Sequence, residues 1–165
     1  MPILISGISG VRGIINDGFD EEVVEVYTRA FAQLMDKGRI VIAQDSRPSG
    51  AMFKGIVEKT LNQLGCEIID CGICPTPTAQ LMVKDLNARG GIIVTASHNP
   101  IEWNALKFVG DEGLFLDSEE HKQLQAELLE VKEAGPLEAE PSGSVTKLDD
   151  RIERHIENVM ALDLI

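Results

Sequence analysis

Three short apolar runs, IVIA at 40–43, CEIID at 66–70 and GIIVTA at 91–96, alternate with segments whose apolar residues recur at helical spacing. This alternation constrains the fold more than any other feature. Such runs suit strands covered on both faces, and strand patterns alternating with helical ones specify βα units gathered into an α/β layer. Val23, Val26, Tyr27, Ala30, Phe31 and Leu34 mark one amphipathic helix, with Asp20 as N-cap and Gly38 beyond its end. Phe53, Ile56, Val57, Thr60, Leu61 and Leu64 repeat the pattern behind Ser49 and stop at Gly65. A shorter helix carries Ala79, Met82, Val83 and Leu86, and Ser118 is expected to cap another that runs to about Lys132. The run ALKFV, the turn Gly110-Asp111-Glu112-Gly113 and then LFL suggest a hairpin, so the expected sheet is mixed but mostly parallel.

The stretch EAGPLEAEPSGS at 133–144 has prolines, glycines, serines and acids but no apolar period, so a boundary belongs there. The expected organisation is an α/β domain at 1–135, a linker at 136–147 and a helical segment at 148–165. In that segment Ile152, Ile156, Val159 and Met160 recur at helical spacing, which predicts an amphipathic helix over 149–162.

Charge narrows the partners. The net charge is −12, with 15 acids against 10 bases over 1–117 and 12 against 5 over 118–165. Nucleic acid and anionic membrane both require basic surface, so neither is expected, and a phosphate ligand would need a local cluster of cations. No stretch approaches a membrane span of ~20 apolar residues, and residues 1–13 lack the pattern of a signal peptide. Three cysteines without a disulfide framework fit a reducing compartment, so a cytoplasmic protein is expected.

Four segments offer chemistry. In Gly7-Ile8-Ser9-Gly10-Val11-Arg12-Gly13 successive amides could form an anion-binding nest, with the Arg12 guanidinium gripping phosphate oxygens, or the segment could be a plain glycine-rich turn. Asp45-Ser46-Arg47 lies between a strand and a helix; the carboxylate could aim Arg47 at a ligand, or the two could be a surface pair beside a helix cap. Cys71-Gly72-Ile73-Cys74 sits where a dithiol redox motif would, although Pro75-Thr76-Pro77 is equally explained as a helix start. Two cysteines cannot complete a zinc site.

The fourth segment, Thr95-Ala96-Ser97-His98-Asn99-Pro100, ends a strand abruptly at a proline, which offers Ser97 at the carboxyl edge of the sheet, where open α/β sheets place their ligands. Adjacent side chains of an extended segment point to opposite faces, and no G-x-S-x-G elbow is present, so a serine hydrolase is not favoured. A hydroxyl carrying a phosphoryl group fits better, with His98, Asn99 and a cation such as Lys107 around its oxygens. A plain Asn-Pro turn is the alternative.

Taken together, SGISGVRG at 6–13, QDSRPSG at 44–50, DCGICPTP at 70–77 and TASHNPIEWNALKF at 95–108 resemble the first domain of the α-D-phosphohexomutases, the family of phosphoglucomutase, phosphomannomutase and phosphoglucosamine mutase. The resemblance implies a three-layer α/β/α domain with a mixed, mostly parallel sheet. It implies that Ser97 is a phosphoserine exchanging its phosphoryl group with a hexose phosphate through a bisphosphorylated sugar. Arg12 and Lys107 would assist proton transfer and stabilise charge, His98 and Asn99 would flank the phosphate, and Ser9, Asp45 and Arg47 would contact substrate or phosphate. Mg²⁺ would bind the phosphate of Ser97, with its remaining ligands outside this chain. Cysteine positions are free in that pattern, which counts against the redox reading. Trp103 stands where the family commonly has tyrosine or aspartate, and Ala105 where it has glycine.

Family enzymes have four domains, and this chain has none of the D-x-D-x-D, sugar-recognition or R-x-S-G-T loops that the others carry. The expectation is therefore a first domain that needs domains two to four as partners, is inactive alone, and leaves the choice of sugar mainly to them. A glucosamine-phosphate enzyme and a non-catalytic phosphosugar-binding module are the alternatives.

Overall fold

The computed structural model describes residues 3–163. Strands β1 (Leu4–Gly7) and β2 (Gly10–Ile15) open the chain, followed by the two-residue β3 (Gly18–Phe19) and helix α1 (Glu21–Leu34). Then come β4 (Arg39–Gln44), α2 (Gly50–Gln63), β5 (Glu67–Ile73), α3 (Thr76–Asp85), β6 (Gly90–Val94), β7 (Trp103–Gly110) and α4 (Ser118–Ala134). Strand β8 (Ser144–Lys147) and helix α5 (Arg151–Met160) complete it. The three apolar runs are thus β4, β5 and β6; β4 and β5 each lie between two helices, whereas β6 follows α3 and leads into β7.

All strands join one sheet in the order β1-β2-β7-β6-β4-β5-β8, with β3 beside β2. The pairs β6/β4, β4/β5 and β5/β8 are parallel, whereas β1/β2, β2/β7 and β7/β6 are antiparallel. The sheet is mixed as expected, but parallel pairing prevails only in the half made of βα units. In the other half, short connections give the antiparallel pairs β1/β2 and β6/β7, β2 meets the distant β7 antiparallel, and the two-residue β3 lies parallel to β2.

Helices cover both faces, giving three layers. On one side Val24 and Phe31 of α1, Phe53 and Leu61 of α2 and Leu124 of α4 pack on Ile40, Ile42, Ile68, Ile92 and Phe108. On the other, Ala79, Met82 and Val83 of α3 pack on Val41, Ile69, Ile93 and Val109. Successive strand residues therefore serve opposite cores, which is why the runs lack polar alternation. Each large side chain buried this way contributes roughly 1.5–3 kcal/mol.

Local signals hold in part. Asp20 caps α1 by accepting a bond from the Val23 amide at 2.9 Å. Helix α4 is capped by Asp117 rather than Ser118, through a capping box in which Glu120 returns a bond to the Asp117 amide. That early start takes the length LFL would need as a strand; the turn after β7 forms, but only a Val109–Phe115 bridge follows it.

The segment expected as linker contributes an edge strand. Ser142 and Gly143 donate to the Asn62 carbonyl at 3.0 and 2.9 Å, and β8 then pairs with β5 from Ser144 to Lys147. Helix α5 docks on α3 by polar contacts, His155 Nδ1 lying 2.7 Å from Thr78 Oγ1 and Arg154 3.0 Å from Asp85. Its apolar stripe of Ile152, Ile156, Val159 and Met160 is exposed. No helix among the described residues is long and apolar enough to cross a membrane.

Candidate active site

Strands β4 and β6 are parallel neighbours and end side by side, which brings Asp45 next to Thr95 and the turn that follows it. Thr95 Oγ1 donates to Asp45 Oδ2 at 2.6 Å and accepts from the Ser97 amide at 3.1 Å. Ser97 is exposed and left-handed, with φ of +57°. A residue with a β-carbon adopts that region at a cost of about 1–3 kcal/mol, and such strain clusters at functional sites. The turn also brings Ser97 Oγ within 3.4 Å of His98 Nδ1, at the long limit of a hydrogen bond. The expected separation of these neighbours onto opposite faces does not arise, because the segment is a turn and not a strand.

The glycine-rich stretch is a β-hairpin rather than a nest. Gly7 pairs with Gly10 across the Ile8-Ser9 tip, and Arg12 lies within β2 opposite Ala105 of β7. Gly10 passes so close to β7 that a Cβ would meet the Leu106 carbonyl oxygen at 1.9 Å. Lys107, two residues beyond Ala105, shares its face of β7; its Nζ lies 5.0 Å from the centre of the Phe115 ring, a cation–π contact.

Hairpin, turn and β7 enclose a cleft of about 260 Å³ lined by Ser9, Arg12, Ser97, His98, Asn99 and Lys107 together with Thr95 and glycine, alanine and other apolar neighbours. No acidic side chain lines it, and none of the ion pairs among the described residues takes up Arg12 or Lys107. In a chain of net charge −12 this cleft is an island of uncompensated positive charge. A larger groove of about 760 Å³ between α1, α2 and α4 is of mixed charge, with Asp20, Glu21, Glu22 and Glu25 facing Arg29, Lys59 and Lys132.

Six of the eight expected site residues therefore meet around one space. Asp45 and Arg47 do not line it. The Arg47 side chain turns under the Ser97 loop, where Nε donates to Asp45 at 3.2 Å and both terminal nitrogens donate to loop carbonyls. Buried Thr95 belongs to the same support and escaped the sequence reading, although its hydroxyl at the strand end is the visible signal.

The donors do not by themselves make a Mg²⁺ site. No group of three or more His, Cys, Asp or Glu among the described residues could hold a metal ion, and the carboxylate joined to the loop, Asp45, is taken by Arg47 and Thr95.

The cysteines are inert by position. Cys66, Cys71 and Cys74 are all buried and free. Burial pushes the Cys66 thiol up to about 11 and the Cys71 thiol up to about 12, and raises Cys74 as well. Thiols held this high stay protonated at neutral pH and are poor nucleophiles. A thiol-disulfide indicator at pH 8 is expected to find no reactive thiol in the native chain and three after denaturation. Rapid native labelling of two thiols would revive the redox reading.

The family described as phosphoglucomutase/phosphomannomutase, alpha/beta/alpha domain I, matches residues 4–135. A phosphoglucosamine/phosphogalactosamine mutase of Sulfurisphaera tokodaii is 33% identical over 88% of this chain and 32% of its own length. A phosphoglucomutase/phosphomannomutase of Thermococcus kodakarensis is 40% identical over 68% of this chain and 26% of its own length. A solved structure from Thermus thermophilus, with a provisional phosphomannomutase assignment, superimposes with a TM-score of 0.81 at 28% identity, covering 99% of this chain and 37% of that one. The chain thus spans about a third of the length of these relatives.

Proposed function

The chain belongs to the phosphoglucomutase/phosphomannomutase family as its α/β/α domain I, and from that premise we propose that Ser97 accepts and returns a phosphoryl group of a hexose phosphate. One observation carries the proposal. An exposed serine hydroxyl sits in a strained turn at the mouth of a cleft whose cations have no acidic partner. Phosphoryl transfer is chiefly positioning and charge neutralisation, and the cleft supplies both.

In the forward step a hydroxyl of a hexose monophosphate attacks the phosphorus on Ser97: the sugar O–P bond forms, the Oγ–P bond breaks, the hydroxyl proton ends on Ser97 Oγ, and a bisphosphorylated sugar results. After the sugar reorients, Ser97 Oγ attacks the other phosphorus. The Oγ–P bond forms, the sugar O–P bond breaks, the hydroxyl proton is taken up in the cleft, where His98 and Lys107 are the titratable groups beside Arg12, and the sugar oxygen is protonated. Arg12 and Lys107 neutralise the equatorial oxygens, while His98, Asn99 and Ser9 flank them. Mg²⁺ would be held here only through the phosphate on Ser97, with its other ligands from outside the described residues, and would supply neutralisation of the phosphate charge. The net reaction of a parent enzyme is interconversion of hexose 1-phosphate and hexose 6-phosphate. The remaining walls of the site come from further domains, so the chain alone performs the half-reaction without turnover.

The test is to incubate the chain with glucose 1,6-bisphosphate and Mg²⁺ and follow its intact mass. A gain of one phosphoryl group mapped to the peptide holding Ser97 is expected, absent in Ser97→Ala and about 100-fold slower in Arg12→Ala. No gain in the wild-type chain, or a gain that survives Ser97→Ala, refutes the proposal. Bisphosphate binding without a mass gain would instead identify a passive phosphosugar module.

A further inference from the structure

We propose that Arg47 is a positioning residue, one that holds Ser97 in its left-handed conformation by gathering the main-chain carbonyls of the loop on the side away from the cleft. A guanidinium has five N–H donors in a fixed fork and no acceptor. In Arg47 all five have acceptors. Nε donates to Asp45 Oδ2 at 3.2 Å. Nη1 donates to the carbonyls of Pro100 at 2.7 Å and Trp103 at 3.2 Å. Nη2 donates to those of Ser97 at 2.9 Å and Asn99 at 2.6 Å. The side chain is 12% exposed, and no donor remains for a sugar phosphate.

Asp45 ties this fork to the strand end. One oxygen accepts the Arg47 amide at 3.0 Å, and the other accepts both Arg47 Nε and the Thr95 hydroxyl. Thr95 in turn accepts the Ser97 amide. Ser97 is therefore gripped on both sides, its amide through Thr95 and its carbonyl through Arg47, and both grips lead back to Asp45. A residue with a β-carbon stays at positive φ only when its surroundings impose it, and this network is what imposes it. Lysine cannot substitute, since a point ammonium with three donors cannot bridge four carbonyls and a carboxylate. The geometry stands independently, whereas its effect on phosphoryl transfer rests on the function proposed above.

The experiment compares Arg47→Ala and Arg47→Lys with the wild type by amide exchange and by phosphoryl uptake from glucose 1,6-bisphosphate. Exchange at Ser97, Asn99 and Trp103 is expected to accelerate at least about tenfold, with the core amides of Ile42 and Ile93 unchanged. Acrylamide quenching of the chain's one tryptophan, Trp103, reports the same release. Uptake is expected to slow about 100-fold at saturation, the scale of a misplaced reacting group. The half-saturating bisphosphate concentration stays constant, and added methylguanidinium restores part of the rate in Arg47→Ala.

Unchanged exchange at the three loop amides overturns the proposal. So does a raised half-saturating concentration with the maximal rate preserved, since that marks a phosphate ligand. If Arg47→Ala unfolds, shown by exchange at Ile42 and Ile93, Arg47→Lys keeps stem and charge and carries the same outcomes. If the wild type takes up no phosphoryl group, the functional reading fails while amide exchange still decides the role of Arg47.

Discussion

Gly10→Ala is expected to lower stability by roughly 3 kcal/mol or more and to move Arg12 out of the cleft. Gly10 has φ of +132°, which a side chain rarely tolerates. The added methyl would sit 1.9 Å from the Leu106 oxygen, 2.9 Å from its carbonyl carbon and 3.0 Å from Lys107 Cα. All three neighbours are main chain, so no rotamer change relieves the clash, and β2 must separate from β7. Backbone strain of about 1–3 kcal/mol and overpacking of about 1–3 kcal/mol add here. The pairs lost first, Val11 with Leu106 and Arg12 with Ala105, are those that set Arg12 across from the strand of Lys107. Melting followed by circular dichroism should fall by roughly 6–12 °C for a chain of this size. Gly55→Ala, in the exposed middle of α2 with nothing within 4 Å, is the matched comparison and should hold or raise the melting point. Equal melting points for the two variants would show that β2 does not approach β7 so closely.

Lys54→Ala should cost about 3–5 kcal/mol, because it strands a buried carboxylate. Lys54 Nζ lies 2.5 Å from Asp70 Oδ2, with the side chains 15% and 7% exposed. The other oxygen of Asp70 accepts the Gly72 amide at 2.8 Å, at a left-handed glycine one residue before the end of β5. Without Lys54 the charge keeps that single amide, and water reaches it poorly. The double variant Lys54→Met with Asp70→Asn removes both charges yet leaves an acceptor for Gly72, and should recover more than half of the loss. Urea titration of the four species closes the cycle. A single-variant cost below about 1 kcal/mol would place the pair among ordinary surface ion pairs.

These two sites show what the chain reveals locally and what it hides. Helices α1 and α2 were legible because their cores are written at i, i+3 and i+4, and Asp20 caps the first as its position suggests. Strands β4 and β6 were legible because both faces are covered, leaving uninterrupted apolar runs. Hairpin β1–β2 was not, since its glycines read as a loop and its strand character comes from pairing with β7, far along the chain. Strand β8 was hidden for a similar reason. Ser144–Lys147 has no apolar pattern, and it is the exposed edge of β5 that makes it a strand.

The site divides in the same way. Ser97, His98, Asn99, Arg12, Ser9 and Lys107 were readable as a cluster of chemistry-bearing residues, and the fold brings them to one cleft. The direction in which Arg47 points was not readable, because its partners are carbonyls about fifty residues downstream, and a carbonyl leaves no mark in a sequence.

That anonymity has an effect on how the loop can change over time. A fork that recognises oxygens common to every amino acid is indifferent to the side chains mounted on them. Trp103 can stand where tyrosine or aspartate is common in the family without disturbing the grip, because only its carbonyl is held. Scaffold and chemistry are thus written in separate scripts on the same short loop, and either can be revised while the other is kept.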